Sequence, residues 1–156
     1  MKLDVEVQVA LEMAGLPTVA EFRCWVDAAL AGAGYTQDAE VVIRIVNEAE
    51  SASLNQTYRH KAGATNVLSF PFTVPAGVPS DLLGDIVICA PVVVREALAQ
   101  QKTLLAHWAH LLVHGVLHLL GHEHQDAAQA GAMEQLEIRI LAGLGYPDPY
   151  GEMALP

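Results

Sequence analysis

The sequence predicts an α+β fold, with a small sheet drawn from the first half of the chain and helices supplied mainly by the second. Strand-like segments all precede Pro91, the chain from Pro91 onward reads as wholly helical, and no internal repeat or low-complexity linker separates the two halves. A length of 156 residues suits one domain with one real core. Residues 1–156 are therefore read as a single globular domain, and an apolar content of 53% argues against disorder.

Each element has its own local reason. In MKLDVEVQVA, Leu3, Val5, Val7 and Val9 share one face of a strand while Asp4, Glu6 and Gln8 occupy the other. The spacing of Val19, Phe22, Trp25, Val26 and Leu30 predicts a helix from Thr18 to about Ala31, with Gly32 and Gly34 as its stop. EVVIRIV, residues 40–46, is β-branched and predicts a second strand, followed by a helix ending near Tyr58. The polar, turn-rich RHKAGAT, residues 59–65, leads into NVLSFPF, a third strand whose Pro71 places it at an edge or at its own end. VPAGVPSD reads as a loop and LLGDIVICA as the fourth strand, after which Pro91 suits a first helical turn.

The net charge of −10 repels a polyanion at long range and opposes indiscriminate nucleic-acid binding. The first residues lack the apolar block of a secretory signal, so export is not expected. Cys24 and Cys89 lie far apart without a C-x-x-C spacing and are expected as buried structural thiols in a reducing cytoplasm. LLAHWAHLLVHGVLHLLG is the most apolar segment, but four histidines and a short span make it a buried helix rather than a membrane segment.

The strongest chemical signal is HGVLHLLGHEH, residues 114–124. On a helix His114 and His118 stack one turn apart and can aim their rings at one point. Gly121 can end that helix in a left-handed conformation, which lets His124 fold back toward the same point. Three neutral imidazoles leave one tetrahedral position of Zn²⁺ open, the layout of a catalytic site with one zinc per chain. A lone histidine on an apolar helix is usually only packed, but three at this spacing around a helix-ending glycine favour metal. His110 and His107 lie under the same stripe, and spacing alone leaves them open as other ligands; His110 reads as a partner behind the ligands or a packed residue. His122 reads as a solvated loop residue, and Met133 belongs to an apolar stripe with Leu136, Ile140 and Leu141. Gly115 stands where a helical zinc peptidase carries its catalytic glutamate.

HLLVHGVLHLLGHEH, LNQTYRHKAGATNVLSFPF, LLGDIVICA and the closing LGYPDPY together resemble the YbeY family of zinc-dependent, single-strand-directed endoribonucleases of ribosomal RNA maturation. The resemblance runs from about Leu54 to Tyr150. It implies a four-stranded mixed sheet with helices packed against it and the metal in a surface cleft. It also implies a cytoplasmic protein whose partners are single-stranded RNA, the small ribosomal subunit and assembly factors such as a ribosome-associated GTPase. The family pattern H-G-x-L-H-L-x-G-Y-D-H keeps all three ligand positions here, while His122 replaces a tyrosine, Glu123 an aspartate, and Asn66 the aspartate of T-D-V-L-S-F.

The missing glutamate has a chemical substitute, because zinc lowers the pKa of a bound water to about 7. His114 therefore counts as both ligand and catalytic residue. Phosphodiester cleavage also needs charge stabilisation on the phosphate, for which a guanidinium's two-pronged donors are suited. Arg59 and Lys61 sit in the densest basic group of a chain with only eight Lys and Arg. Such a group is usually plain solvated surface. By the resemblance to the family's Y-R-x-K segment, Arg59 is catalytic and substrate-binding, and Lys61 substrate-binding. Glu123, read as an exposed turn acid or one that orients a ligand, and Asp85, read as shaping the cleft or lying on a polar sheet face, are left outside the catalytic set. The rival readings are a zinc peptidase or amidase, which Gly115 opposes, and a non-catalytic, metal-stabilised ribosome-assembly module.

Overall fold

In the computed structural model, which describes residues 2–75, 77–123 and 125–151, four strands and five helices alternate and then give way to helices alone. β1 (Leu3–Val9), α1 (Val19–Gly32), β2 (Ala39–Val46), α2 (Glu48–Arg59), β3 (Val67–Pro71) and β4 (Leu82–Cys89) precede α3 (Ala90–Ala99), α4 (Leu104–Leu119) and α5 (Ala127–Gly143). The expected strands and helices all form, and the helical second half is broken into three by turns around Gln101 and Gly121, both at positive φ.

The sheet has the order β1-β2-β4-β3. β1 pairs parallel with β2 and β2 parallel with β4, whereas β3 returns antiparallel along β4, so the sheet is mixed as the family resemblance implied. β3 is an edge strand, which is where Pro71 is tolerated because its missing N–H costs no ladder bond. Gly84 of β4 sits at φ 146, and a Cβ there would meet the Phe70 carbonyl oxygen at 2.3 Å. Only glycine lets the two strands pair so closely at that point.

Local signals close the helices. Thr18 caps α1 through a reciprocal capping box with Glu21, and Asn47, Thr103 and Asp126 cap α2, α4 and α5 through side-chain oxygens. Gly34 takes the left-handed turn expected after α1, at φ 75. Gly32 does something different: it is the last residue of α1, and a Cβ there would meet Ile140 of α5 at 2.4 Å. It serves the close approach of two helices.

The main core lies between one sheet face and the helices α1, α4 and α5. It gathers Val41, Ile43, Ile45, Ile86 and Ile88 against Phe22, Trp25, Leu30, Trp108, Leu112 and Val116. Phe22 meets Trp25 and Trp108 edge-to-face, with centroids 5.7 Å apart in both pairs. The Met133, Leu136, Ile140 and Leu141 stripe is buried as expected. A smaller cluster on the other face joins Val46, Leu68, Val87, Cys89 and Val92 with Leu54 and Phe70. Cys89 is buried, but Cys24 is exposed, which corrects the expectation of two buried thiols: it falls on the outer side of α1. No helix among the described residues is long and apolar enough to cross a membrane.

Candidate active site

α4 is buried along most of its length and threads the centre of the fold, so its histidine stripe is held rigidly. From His107 to His110 to His114 the ring centroids are 6.2 Å apart at each step, and from His114 to His118 they close to 4.5 Å. The Nε2 atoms of His114 and His118 lie 3.0 Å apart. Both rings line a cleft of about 620 Å³ together with Tyr58, Arg59 and residues 65–71. The helix then ends as its sequence predicts, with Gly121 at φ 94 and the His122 N–H donating to the Leu117 carbonyl at 3.0 Å. His124, the expected third ligand, lies outside the described residues.

Behind His114 stands Glu137 of α5, with no exposed surface. Its carboxylate faces His114 Nδ1 at 3.3 Å from both oxygens, His110 Nε2 at 2.9 Å and the Tyr150 hydroxyl at 2.8 Å. Burial pushes this carboxyl toward its neutral form, but the hydrogen bonds from His110, His114 and Tyr150 prevail and hold its pKa at about 2. Burial and the Glu137 charge together push the Tyr150 phenol up, so it stays a donor. A carboxylate on Nδ1 fixes the His114 tautomer, with the proton on Nδ1 and the Nε2 lone pair turned to the cleft.

That arrangement fits a metal ion. Nitrogens bound tetrahedrally at about 2.0–2.1 Å are themselves roughly 3.3 Å apart, close to the spacing of the His114 and His118 nitrogens. His110, His114 and Glu137 form a second compact group that could hold an ion, with ligand atoms all within 4.8 Å of one another. There both ring nitrogens already engage the carboxylate. His110 thus shares its carboxylate with His114, and the same group leaves it able to act as a ligand.

The far end of the stripe is tied differently. His107 Nε2 contacts Glu96 at 2.9 Å, and Glu96 also accepts from the Asn66 amide at 3.0 Å. Burial lowers the His107 pKa more than Glu96 raises it. An aspartate at position 66, as in the family pattern, would set two carboxylates face to face, whereas asparagine donates to Glu96 while its own oxygen accepts the Val67 N–H.

Arg59 ends α2, and His60 caps the helix in the left-handed conformation at φ 56. The loop beyond is stapled down by two buried polar residues of α2: Ser51 exchanges hydrogen bonds with the Thr65 backbone at 2.9 and 3.0 Å, and Asn55 donates to the Gly63 carbonyl at 2.9 Å. A loop fixed in this way gives Arg59 a defined place on the cleft wall. Lys61 is exposed in the loop and is not among the cleft-lining residues. Glu123 and Asp85 are exposed too.

Gly115 packs against the sheet. A Cβ there would lie 3.0 Å from Ile86 Cγ2 and 3.3 Å from Ser69 Oγ, while the Ser69 hydroxyl donates to the Gly115 carbonyl at 3.1 Å. Glycine is what lets α4 lie against β3 and β4, and a glutamate would start inside the sheet contact. Glu137 and Tyr150 are the site residues the sequence reading missed. The available signal was an acidic residue within the apolar stripe of α5, four positions after Met133 and three before Ile140.

An α+β fold whose edge-strand cleft is lined by helix-borne histidines and an arginine, with a buried carboxylate behind His114, defines a site of the metallohydrolase type. A profile of the family described as Endoribonuclease YbeY matches residues 10–145. The proteins named Endoribonuclease YbeY from Nitrosococcus oceani and Methylococcus capsulatus are 57% and 58% identical over 152 and 151 residues, spanning 96% and 97% of this chain and 98% and 97% of their own lengths. This chain belongs to the YbeY family. Its fold is also similar to the solution structure of TM1509 from Thermotoga maritima, at 20% identity and a TM-score of 0.55, covering 94% of this chain and 99% of that one.

Proposed function

We propose that the protein is a cytoplasmic, zinc-dependent endoribonuclease, one domain over residues 1–156, that cleaves single-stranded segments of RNA in ribosomal RNA maturation and ribosome quality control. The observation that carries this reading is the meeting of His114, His118 and Arg59 on one cleft in a member of this family. His114 and His118, with His124 as the third ligand, would hold the ion. Zinc, when bound, supplies Lewis acidity beside the phosphate and lets water act as a nucleophile near neutral pH. The residues of the chain do the rest. Glu137 keeps the Nδ1 proton on His114, so that Nε2 presents a lone pair, and Tyr150 and His110 hold the carboxylate in place. Arg59 binds the phosphate oxygens and stabilises the charge they gain on attack. Lys61, from the loop, adds longer-range attraction for the strand. Partners of this activity would be the small ribosomal subunit and assembly factors such as a ribosome-associated GTPase.

The test compares zinc-loaded wild type, Arg59→Ala and metal-stripped protein on one single-stranded RNA and one unstructured peptide. Arg59→Ala should keep its fold and zinc but lose roughly 10²–10³-fold in RNA cleavage, with Arg59→Lys restoring only part because ammonium lacks the planar fork. Peptide hydrolysis that survives Arg59→Ala, with no zinc-dependent RNA cleavage, would overturn the nuclease in favour of a peptidase. Zinc without either activity would favour an assembly module.

A further inference from the structure

The cleft has a wall that neither the histidines nor Arg59 use. β3 is the free edge of the sheet, and its alternation sends Val67 and Ser69 to the α4 side and Leu68 and Phe70 to the α2 side. On the α2 side Tyr58 meets Phe70 edge-to-face, with ring centroids 5.0 Å apart and planes at 70°. Tyr58 nevertheless leaves 61% of its surface in solvent while lining the same cleft as Arg59, His114 and His118.

An exposed aromatic needs no explanation when it is isolated. This one is held in a T-shaped contact with a second ring, so part of its rotamer freedom is already lost, and it lines the cleft one residue before Arg59. With a net charge of −10, the protein draws little long-range attraction for RNA from its body and needs local, uncharged contacts. Stacking on a π-face is such a contact and is tolerant of sequence, because every base has one.

We propose that Tyr58, buttressed by Phe70, is a stacking platform for one unpaired nucleobase of the RNA, beside the phosphate that Arg59 binds. This rests on the nuclease reading and gives its single-strand preference a physical cause: a base inside a duplex is already stacked between its neighbours and cannot lie on Tyr58.

The experiment measures kcat and KM of zinc-loaded wild type, Tyr58→Leu and Tyr58→Trp on a single-stranded RNA and on a set of the same RNA carrying one abasic position each. Leucine keeps apolar contact with Phe70 but offers no π-face, so Tyr58→Leu should raise KM roughly 5- to 150-fold with zinc content unchanged, and Tyr58→Trp should hold KM near wild type. One abasic position should impose a similar penalty on the wild type and no further penalty on Tyr58→Leu. Losses that multiply at every position, or leucine and tryptophan variants that behave alike, would overturn the platform. Should the wild type neither bind nor cleave RNA, the nuclease reading itself fails and the platform with it. Cleavage by the wild type with an unchanged KM in Tyr58→Leu sinks the platform alone. If the leucine variant folds poorly, the abasic series on wild type still bears on the platform, because a series with no penalty at any position would overturn it.

Discussion

His107 and His110 occupy the first half of α4, are 2% and 9% exposed, and each turns Nε2 to a carboxylate, Glu96 or Glu137. Their Nδ1 atoms, near the helix backbone, have no hydrogen-bond partner among the described residues. His114 and His118 follow on the same helix at the same kind of spacing, yet they line the cleft. At His114 the carboxylate takes Nδ1 instead, and Nε2 is the atom that meets its neighbour across 3.0 Å. Residue type and periodicity are shared by the two halves of the stripe. What differs along the stripe is which ring nitrogen a carboxylate occupies: Glu96 and Glu137 take Nε2 of His107 and His110, whereas Glu137 takes Nδ1 of His114.

The sharpest way to break this contrast is to exchange its members. His114→Ala should drop the bound zinc from about one per chain to background and abolish RNA cleavage, whereas His107→Gln should retain about one zinc per chain. Metal analysis of the purified variants checks this, and equal zinc loss in both would erase the distinction between the halves.

A smaller effect is expected from the shared carboxylate. Glu137→Gln should weaken zinc binding by about 10- to 100-fold, measured by competition with a chromophoric chelator, while leaving one saturable site. Tyr150→Phe, which removes one of the donors to Glu137, should act in the same direction and less. Complete loss of stoichiometric binding in Glu137→Gln would make Glu137 a ligand itself, in the group it forms with His110 and His114.

The smallest effect concerns pH and the buried half. Burial keeps the folded-state pKa of His107 below its unfolded value of about 6.5. As pH falls below that value the unfolded chain takes up a proton that folded His107 refuses, so stability declines toward the folded pKa, by at most about 1.4 kcal/mol per pH unit. Urea midpoints of metal-free wild type should therefore fall between mildly alkaline and mildly acidic buffer more steeply than those of His107→Gln. Parallel slopes would move the titration to another group.

Much of the fold was legible from local pattern. The alternation of β1, the β-branched run of β2, the edge position announced by Pro71 and the stop at Gly121 each depend on the geometry of a few consecutive residues. The convergence of His114 and His118 is of the same kind, because a four-residue step on a helix fixes it. The third ligand at His124 is a reading that the described residues do not reach.

What the sequence by itself determined, then, is the set of elements and the helix face that carries the histidines, since bond geometry within a turn or a strand leaves few alternatives. Only the tertiary structure decided that Glu137 lies behind His114 across 23 residues of chain, that Tyr150 closes on the same carboxylate, and that Ser51 and Asn55 fasten the loop after Arg59. It alone also decided that Gly115 packs against Ile86 and Ser69 of the sheet. Those pairings depend on how whole elements pack, and packing is set by the summed shape and burial of many side chains, which no short window of residues contains.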